Sequence, residues 1–226
     1  AFAVAFPLVG VMGILVYELA YRPILDKPPF VTLIASIGLY IAAEEIFRLV
    51  FGPYGLSYVD PPLGMIVSLP LGLTAKASEL VTLFGAFGAL LILWALSART
   101  RAGVAWRATV SDPAMAESFG ISLRRVRHLN FFIGSGLAAS AGIMVGLLNN
   151  LVEPGMGAVP AYKALAIIVL GGLGSLPGTL AACIAIGIIE SFGTIFLDDF
   201  LDRDAVAFAF LILVLMIRPQ GLLGRR

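Results

Sequence analysis

Glu44, Glu45 and Arg48 stand together in one apolar run of this chain, and Glu190 stands alone in another. Ionisable groups cost at least about 2.5–3.5 kcal/mol on insertion scales for Asp, Lys and Arg at the centre of a membrane helix, so an intramembrane carboxylate is by default a functional candidate. Glu44 and Arg48 are four apart in the order that favours pairing on one helix face. Glu45 points about 100° away and is expected to lack that partner. The chemistry on offer is recognition of charge: a carboxylate in a water-filled path suits the amino group of a zwitterion, and backbone groups at helix ends could do the same work. The alternative, equally open, is a triplet solvated at the outer membrane interface, and Glu190 has the same two readings.

Other chemistries lack their parts. GGLGSLPG, Gly171 to Gly178, has no Lys to complete a phosphate loop, and Pro177 stands where a dinucleotide-binding pattern needs its last glycine. The only histidine, His128, starts an apolar run among arginines, and GSG at Gly134 to Gly136 belongs to a run of small residues, so no nucleophile or acid–base set is visible. Cys183 sits in an apolar run without His or Cys neighbours, which predicts a small buried thiol, not a ligand. DDFLDRD, Asp198 to Asp204, lacks the glycine and spacing of a calcium loop. It reads as a solvated helix entry in which Asp199 caps the following segment.

The elements that would hold these residues are membrane helices. Hydrophobic residues make up 60% of the 226 residues and charged ones 13%, with a mean hydropathy of +1.01; a soluble domain is expected to be roughly 45–50% apolar. Crossing about 30 Å of hydrocarbon takes about 20 apolar residues. Spans are predicted at Ala1 to Tyr17, Phe30 to Phe51, Leu80 to Ser97 and Leu129 to Leu148. A short helix, Pro160 to Gly172, precedes the glycine-rich break, Pro177 to Leu197 follows it, and Ala205 to Ile217 closes the chain. The expected fold is therefore all-α, a polytopic transmembrane helical bundle of about seven segments, one of them short or discontinuous, forming a single domain over residues 1–226. The start at Ala1, with no charged leader and no cleavage site, suggests a fragment missing its true N-terminus. Gly134, Ala138, Gly142 and Gly146 recur every four residues and are expected to pack helices closely.

Charge placement orients the bundle. If the short helix crosses, Arg22, Lys27, Arg99, Arg101, Arg107, Arg124, Arg125, Arg127, Arg218, Arg225 and Arg226, eleven of the 15 basic residues, share one side. Asp60, Glu79, Glu153 and the DDFLDRD aspartates share the other. The positive-inside tendency then puts the C-terminus and residues 98–128 in the cytoplasm.

That loop contains RATVSDPAMAESFGISLRRVRH, Arg107 to His128. Asp112 is a good N-cap, Pro113 suits the first helical position, and Gly120 suits the left-handed residue that ends a helix. Ser122 is expected to cap a second helix carrying Arg124, Arg125 and Arg127, whose charges oppose the helix dipole and are offset by anionic headgroups. Physics alone leaves two readings, an ordinary capped connector or a docking helix for a cytoplasmic partner.

The stretch resembles the cytoplasmic loop of ATP-binding-cassette importer permeases through Asp112, Pro113, Ala114, Met115, Ala116 and Gly120-Ile121; the family pattern often has Glu at Ala114 and Ala at Met115. YELAYRPILDKPPFVTLIASIGL (Tyr17 to Leu39), AYKALAIIVLGGLGSLPGTLAACIAIGIIES (Ala161 to Ser191) and LILVLMIRPQGLLG (Leu211 to Gly224) are similar to branched-chain amino-acid permeases of the smaller-subunit type. The resemblance implies a non-enzymatic permease of the bacterial inner membrane that moves branched-chain or other hydrophobic amino acids by alternating access. It further implies that residues 98–128 are the coupling loop, with Asp112, Pro113, Ala116, Gly120 and Ile121 gripping an ATPase, and that the N-terminal helices with which members begin are missing ahead of this chain; Glu44, Glu45, Arg48 and Glu190 are translocation-path candidates by their charge within apolar runs. The implied partners are a second permease subunit, ATPase subunits that hold ATP and Mg, and a periplasmic binding protein for which DDFLDRD is a possible contact. No cofactor is expected in this chain. Close relatives carry urea and short amides, and a passive channel or an intramembrane enzyme are the alternatives of another class.

Overall fold

The computed structural model describes residues 2–58, 63–68, 74–172 and 176–196, with single positions at 209, 212 and 216. The DDFLDRD cluster and the basic C-terminus lie outside the described residues, as does Asp60, and only those three positions of the last predicted span are described. Eight α-helices run through the described residues: α1 Phe2–Val16, α2 Pro29–Phe51, α3 Ala77–Arg99, α4 Arg101–Ser111, α5 Pro113–Ser118, α6 Leu123–Asn149, α7 Ala158–Gly171 and α8 Leu176–Phe196. Four helical stretches, Phe2–Ile24, Phe30–Phe51, Ala77–Arg99 and Leu123–Asn149, are long and apolar enough to cross a membrane, while α7 and α8 supply shorter apolar stretches. The chain is thus an all-α polytopic membrane protein.

The helices gather in two compact units, Ala1–Gly155 and Met156–Arg226. In the first, α1 and α6 form the main contact, and small residues allow it. A Cβ on Gly10 would stand 2.7 Å from the Phe132 ring, one on Gly13 would collide with Ser135, and one on Gly136 would stand 2.8 Å from Phe6. The Phe6 and Phe132 rings meet edge to face at 5.9 Å. Lipid tails are as apolar as leucine, so close van der Waals packing of this kind is what holds membrane helices together. α1 does not stop at Val16: it widens into a π-helical turn, Tyr17–Tyr21, and tightens into a 3-10 turn, Arg22–Ile24. Between α1, α3 and α6 runs an apolar groove of about 660 Å³, walled by residues that include Phe6, Ile92, Phe132 and Met144.

Two strand pairs were not foreseen in the sequence. β1 Leu56–Ser57 pairs antiparallel with β4 Leu151–Val152, and β2 Ile66–Ser68 with β3 Thr74–Lys76. They are two or three residues long and exposed, too short for a period-two pattern to be read. β3 leads directly into α3, whose first turn is tied by the Lys76 N–H donating to Glu79 Oε2 at 3.2 Å.

The described helices of the second unit, α7 and α8, form a hairpin. α7 ends at Gly172, φ +91°, and Gly171 sits against the backbone of Gly178 and Thr179, where any Cβ would clash. Leu170 and Ala182 are wholly buried beside this turn. At 14 residues, α7 is about 21 Å long.

The small-residue stripe is divided between exposed and buried positions. Gly134 and Ala138 are exposed and nothing lies within 4 Å of a Cβ built on Gly134, while Gly146 is buried against Val152 of β4. Period four fits Gly134, but the face that meets α1 is rotated by two residues, to Phe132 and Gly136. The expected burial of Cys183 is wrong: its residue is exposed, because α8 turns Ala182, Ile186 and Glu190 inward and Cys183 lies about 100° around the helix from Ala182. Gly13→Leu should therefore lower the thermal stability of the detergent-solubilised protein, by the order of 1–3 kcal/mol typical of overpacking. Gly134→Leu should leave it unchanged, and an equal loss in both variants would contradict this packing face.

Candidate functional site

The polar stretch that interrupts the apolar chain is built as a module of three helices. α3 breaks at Thr100, whose extended backbone and side chain cap α4: Thr100 Oγ1 accepts from the Gly103 N–H at 3.1 Å. Gly103 has no room for a Cβ against the Leu96 and Ser97 carbonyls, and Arg107 donates back to the Ser97 carbonyl. α4 is thereby folded tightly against the end of α3.

α5 is stopped at both ends by its own residues. Asp112 is extended, φ −153°, and its Oδ1 accepts the Met115 N–H at 3.0 Å, the bond expected of an N-cap. Pro113 occupies the first turn. At the other end Gly120 takes φ +80°; its N–H donates to the Glu117 carbonyl at 2.8 Å and the Ile121 N–H to the Ala116 carbonyl at 3.0 Å. These two bonds are a Schellman motif. Ala116 is 4% exposed, whereas Met115 at 57% and Phe119 at 80% stand four residues apart on the open side of the helix. Phe119 was not singled out in the sequence; its signal is a large aromatic immediately before a helix-ending glycine. Ser122 does occupy the N-cap of α6, but its side chain makes no cap bond, a correction to the expectation. The first turn is held by the Val126 N–H donating to the Ser122 carbonyl.

Directly after α5, α6 meets the end of α1 in a cluster the sequence reading did not find. Glu18 Oε2 pairs with Arg22 Nη1 at 2.7 Å, and Glu18 Oε1 with Arg124 Nη2 at 2.8 Å and His128 Nε2 at 2.5 Å. Tyr17, buried, lies 5.4 Å from the His128 ring and 4.9 Å from Phe131. Arg124 thus meets a carboxylate instead of relying on headgroups alone. The π-helical turn re-aims Glu18 and Tyr17 in this way, and such turns cluster at functional sites. The available signal was a lone Glu at the end of the first span, facing the side where arginines collect.

The acidic triplet differs from its expected form. Arg48 bonds Glu44 at 2.5 Å and also Glu45 at 3.1 Å, so Glu45 does have a partner. The arginine fork carries five donors and reaches both the i−4 and i−3 carboxylates. Glu44 lies about 10 Å from the end of α2 at Phe51, with the Gly155 backbone beside it. Glu190 is placed differently. It is 5% exposed and its Oε1 lies 2.9 Å from Lys163 Nζ on α7. Lys163 was overlooked; its signal is a single charge in the apolar run AVPAYKALAIIVLG. Among the described residues no group of His, Cys, Asp and Glu is arranged to hold a metal ion.

The whole chain is similar to known permeases. The family described as "Branched-chain amino acid transport system / permease component" matches residues 1–217. The chain belongs to that family. The high-affinity branched-chain amino acid transport system permease protein BraD of Pseudomonas aeruginosa is 32% identical over 243 residues, covering 100% of this permease and 74% of BraD. LivH of Escherichia coli K12, of the same description, is 33% identical over 230 residues, 99% of this permease and 73% of LivH. LivM of the same organism, also a permease protein of that transport system, matches at 32% over 123 residues, 54% of this permease and 28% of LivM. No solved structure matches. The permease is accordingly a multi-pass membrane transport subunit.

The Glu18 cluster predicts coupling between the ends of α1 and α6. Glu18→Gln and Arg124→Gln should each lower the melting temperature of the permease, and the double variant should melt no lower than the worse single. Fully additive losses in a double-mutant cycle would show that the two side chains do not act together.

Proposed function

We propose that this permease is the membrane-spanning subunit of an ATP-binding-cassette importer and moves branched-chain amino acids into the cell by alternating access. The observation that carries the coupling part of this reading is α5: a two-ended, self-stopped helix on which Met115 and Phe119 are exposed. A connector between two spans has no need of exposed large apolar side chains, whereas a cleft on a partner would bury them. The partner in this reading is an ATPase pair that holds ATP and Mg, as the importer family implies. Asp112, Pro113, Ala116, Gly120 and Ile121 shape the helix, and Met115 and Phe119 make its contact.

The rest of the assembly follows from the family. A second permease subunit of the LivM kind pairs with this one, and a periplasmic binding protein delivers the substrate. The distribution of basic residues supports a cytoplasmic C-terminus and a cytoplasmic α4–α5 module, which requires α7 to cross. Glu44, Glu45 and Arg48 then lie toward the outer surface, where Arg48 offsets one of the two carboxylate charges. The substrate class is supported by BraD and LivH, whose names specify branched-chain amino acids.

ATP-driven closure of the ATPase pair would pull α5, and α6 would carry the movement into the membrane. Phe119→Ser and Ala116→Pro should therefore leave the permease inserted but reduce leucine uptake at least tenfold in the reconstituted complex, with ATP hydrolysis no longer stimulated by loaded binding protein. Normal coupled uptake in both variants would refute the docking role of α5. Stimulation by urea-loaded but not leucine-loaded binding protein would refute the substrate class.

A further inference from the structure

The hairpin of α7 and α8 contains two charges that neither the coupling module nor the α2 triplet uses. Lys163 is the sole charged residue of α7 and Glu190 the sole charged residue of α8. They lie at matching depth: Lys163 is five residues from the start of α7 and Glu190 six from the end of α8, about 8 and 9 Å along antiparallel helices. Their 2.9 Å contact links sequence positions 27 residues apart. Glu190 follows Ala182 and Ile186 at four-residue steps on the buried face, so it is turned toward protein and not toward lipid. The Lys163 side chain keeps about a fifth of its surface open (21%).

A buried ion pair is a poor way to hold two helices, since apolar side chains of similar volume do so equally well or better. This hairpin is already closed by Leu170 and by the backbone contact at Gly171. What the pair offers instead is a matched set of opposite charges inside one hairpin, with the Lys163 side chain partly open and Glu190 buried behind it. We infer that Lys163 and Glu190 form the site that receives the two charged ends of an amino-acid zwitterion, a step that rests on the reading of this chain as an amino-acid permease. The ammonium group of the substrate pairs with Glu190 and its carboxylate with Lys163. One ion pair is exchanged for two, so no charge is left unpaired in a low-dielectric setting at any stage. Neutral solutes such as urea offer no such exchange and leave the site closed on itself.

The test uses the full complex in proteoliposomes, comparing wild type, Lys163→Met, Glu190→Gln and the double variant Lys163→Met/Glu190→Gln. Leucine uptake, ATPase stimulation by leucine-loaded binding protein, and the melting temperature of the permease are measured on each. The double variant removes both charges and should keep its melting temperature and stimulated ATPase activity, while leucine uptake falls at least tenfold. Impaired single variants beside a double variant that takes up leucine at the wild-type KM and rate would make the pair a structural clip and overturn the proposal. Should the double variant fail to insert, the exchange Lys163→Glu/Glu190→Lys keeps an ion pair but reverses it; a tenfold loss of uptake supports the site, and wild-type uptake overturns it. A wild-type complex that imports urea and no amino acid overturns the underlying reading together with the site, whereas leucine import untouched by the double variant removes the site alone.

Discussion

Glu18 ties the end of one membrane-length helix to the start of another through three cationic partners, and much of the first unit depends on that knot. Arg22 comes from the same helical stretch, Arg124 and His128 from α6. Hydrocarbon offers charged groups no partner, so an α6 that begins LRRVRH must find its counter-charge in protein or at the headgroups. The π-helical turn at Tyr17 places that counter-charge. Below it, Gly10, Gly13 and Gly136 bring α1 and α6 close enough for the aromatic rings of Phe6 and Phe132 to interlock. Packing and charge therefore fix the same pair of helices at different depths.

A second principle governs the short helices. α5 is only six residues long, far below the length at which an isolated helix is stable in water. It exists because Asp112 satisfies an N-terminal donor and the Gly120 turn satisfies carbonyls at the other end. Its shape is thus encoded locally and does not wait for a partner, which is the condition for a docking element to be pre-organised.

The sequence made these local features legible and the long-range ones obscure. The caps of α5, the left-handed Gly120, the run of long apolar helices and the Glu44–Arg48 pair all depend on residues within a turn or two of each other, and each was read correctly. The Glu18 cluster joins positions 106 and 110 residues apart, and Lys163 meets Glu190 only after the hairpin folds, so no window of sequence contains either. Period four marks a face with small side chains at Gly134, but the face that α1 occupies depends also on the bulk of Phe132 and Phe6. Glu45 was misjudged because a helical wheel fixes Cβ directions and takes no account of the reach of an arginine fork.

α6 is one unbroken helix of 27 residues, Leu123–Asn149, about 40 Å from end to end. Its first residue follows the α5 turn, and its last, Asn149, is followed by the C-cap Asn150 in a left-handed conformation, φ +54°, which opens into β4. A rod of that length acts as a lever arm: tilting it by about 10° about one end displaces the other by roughly 7 Å. No proline interrupts it, so a tilt imposed at one end reaches the other as a displacement larger than a water molecule.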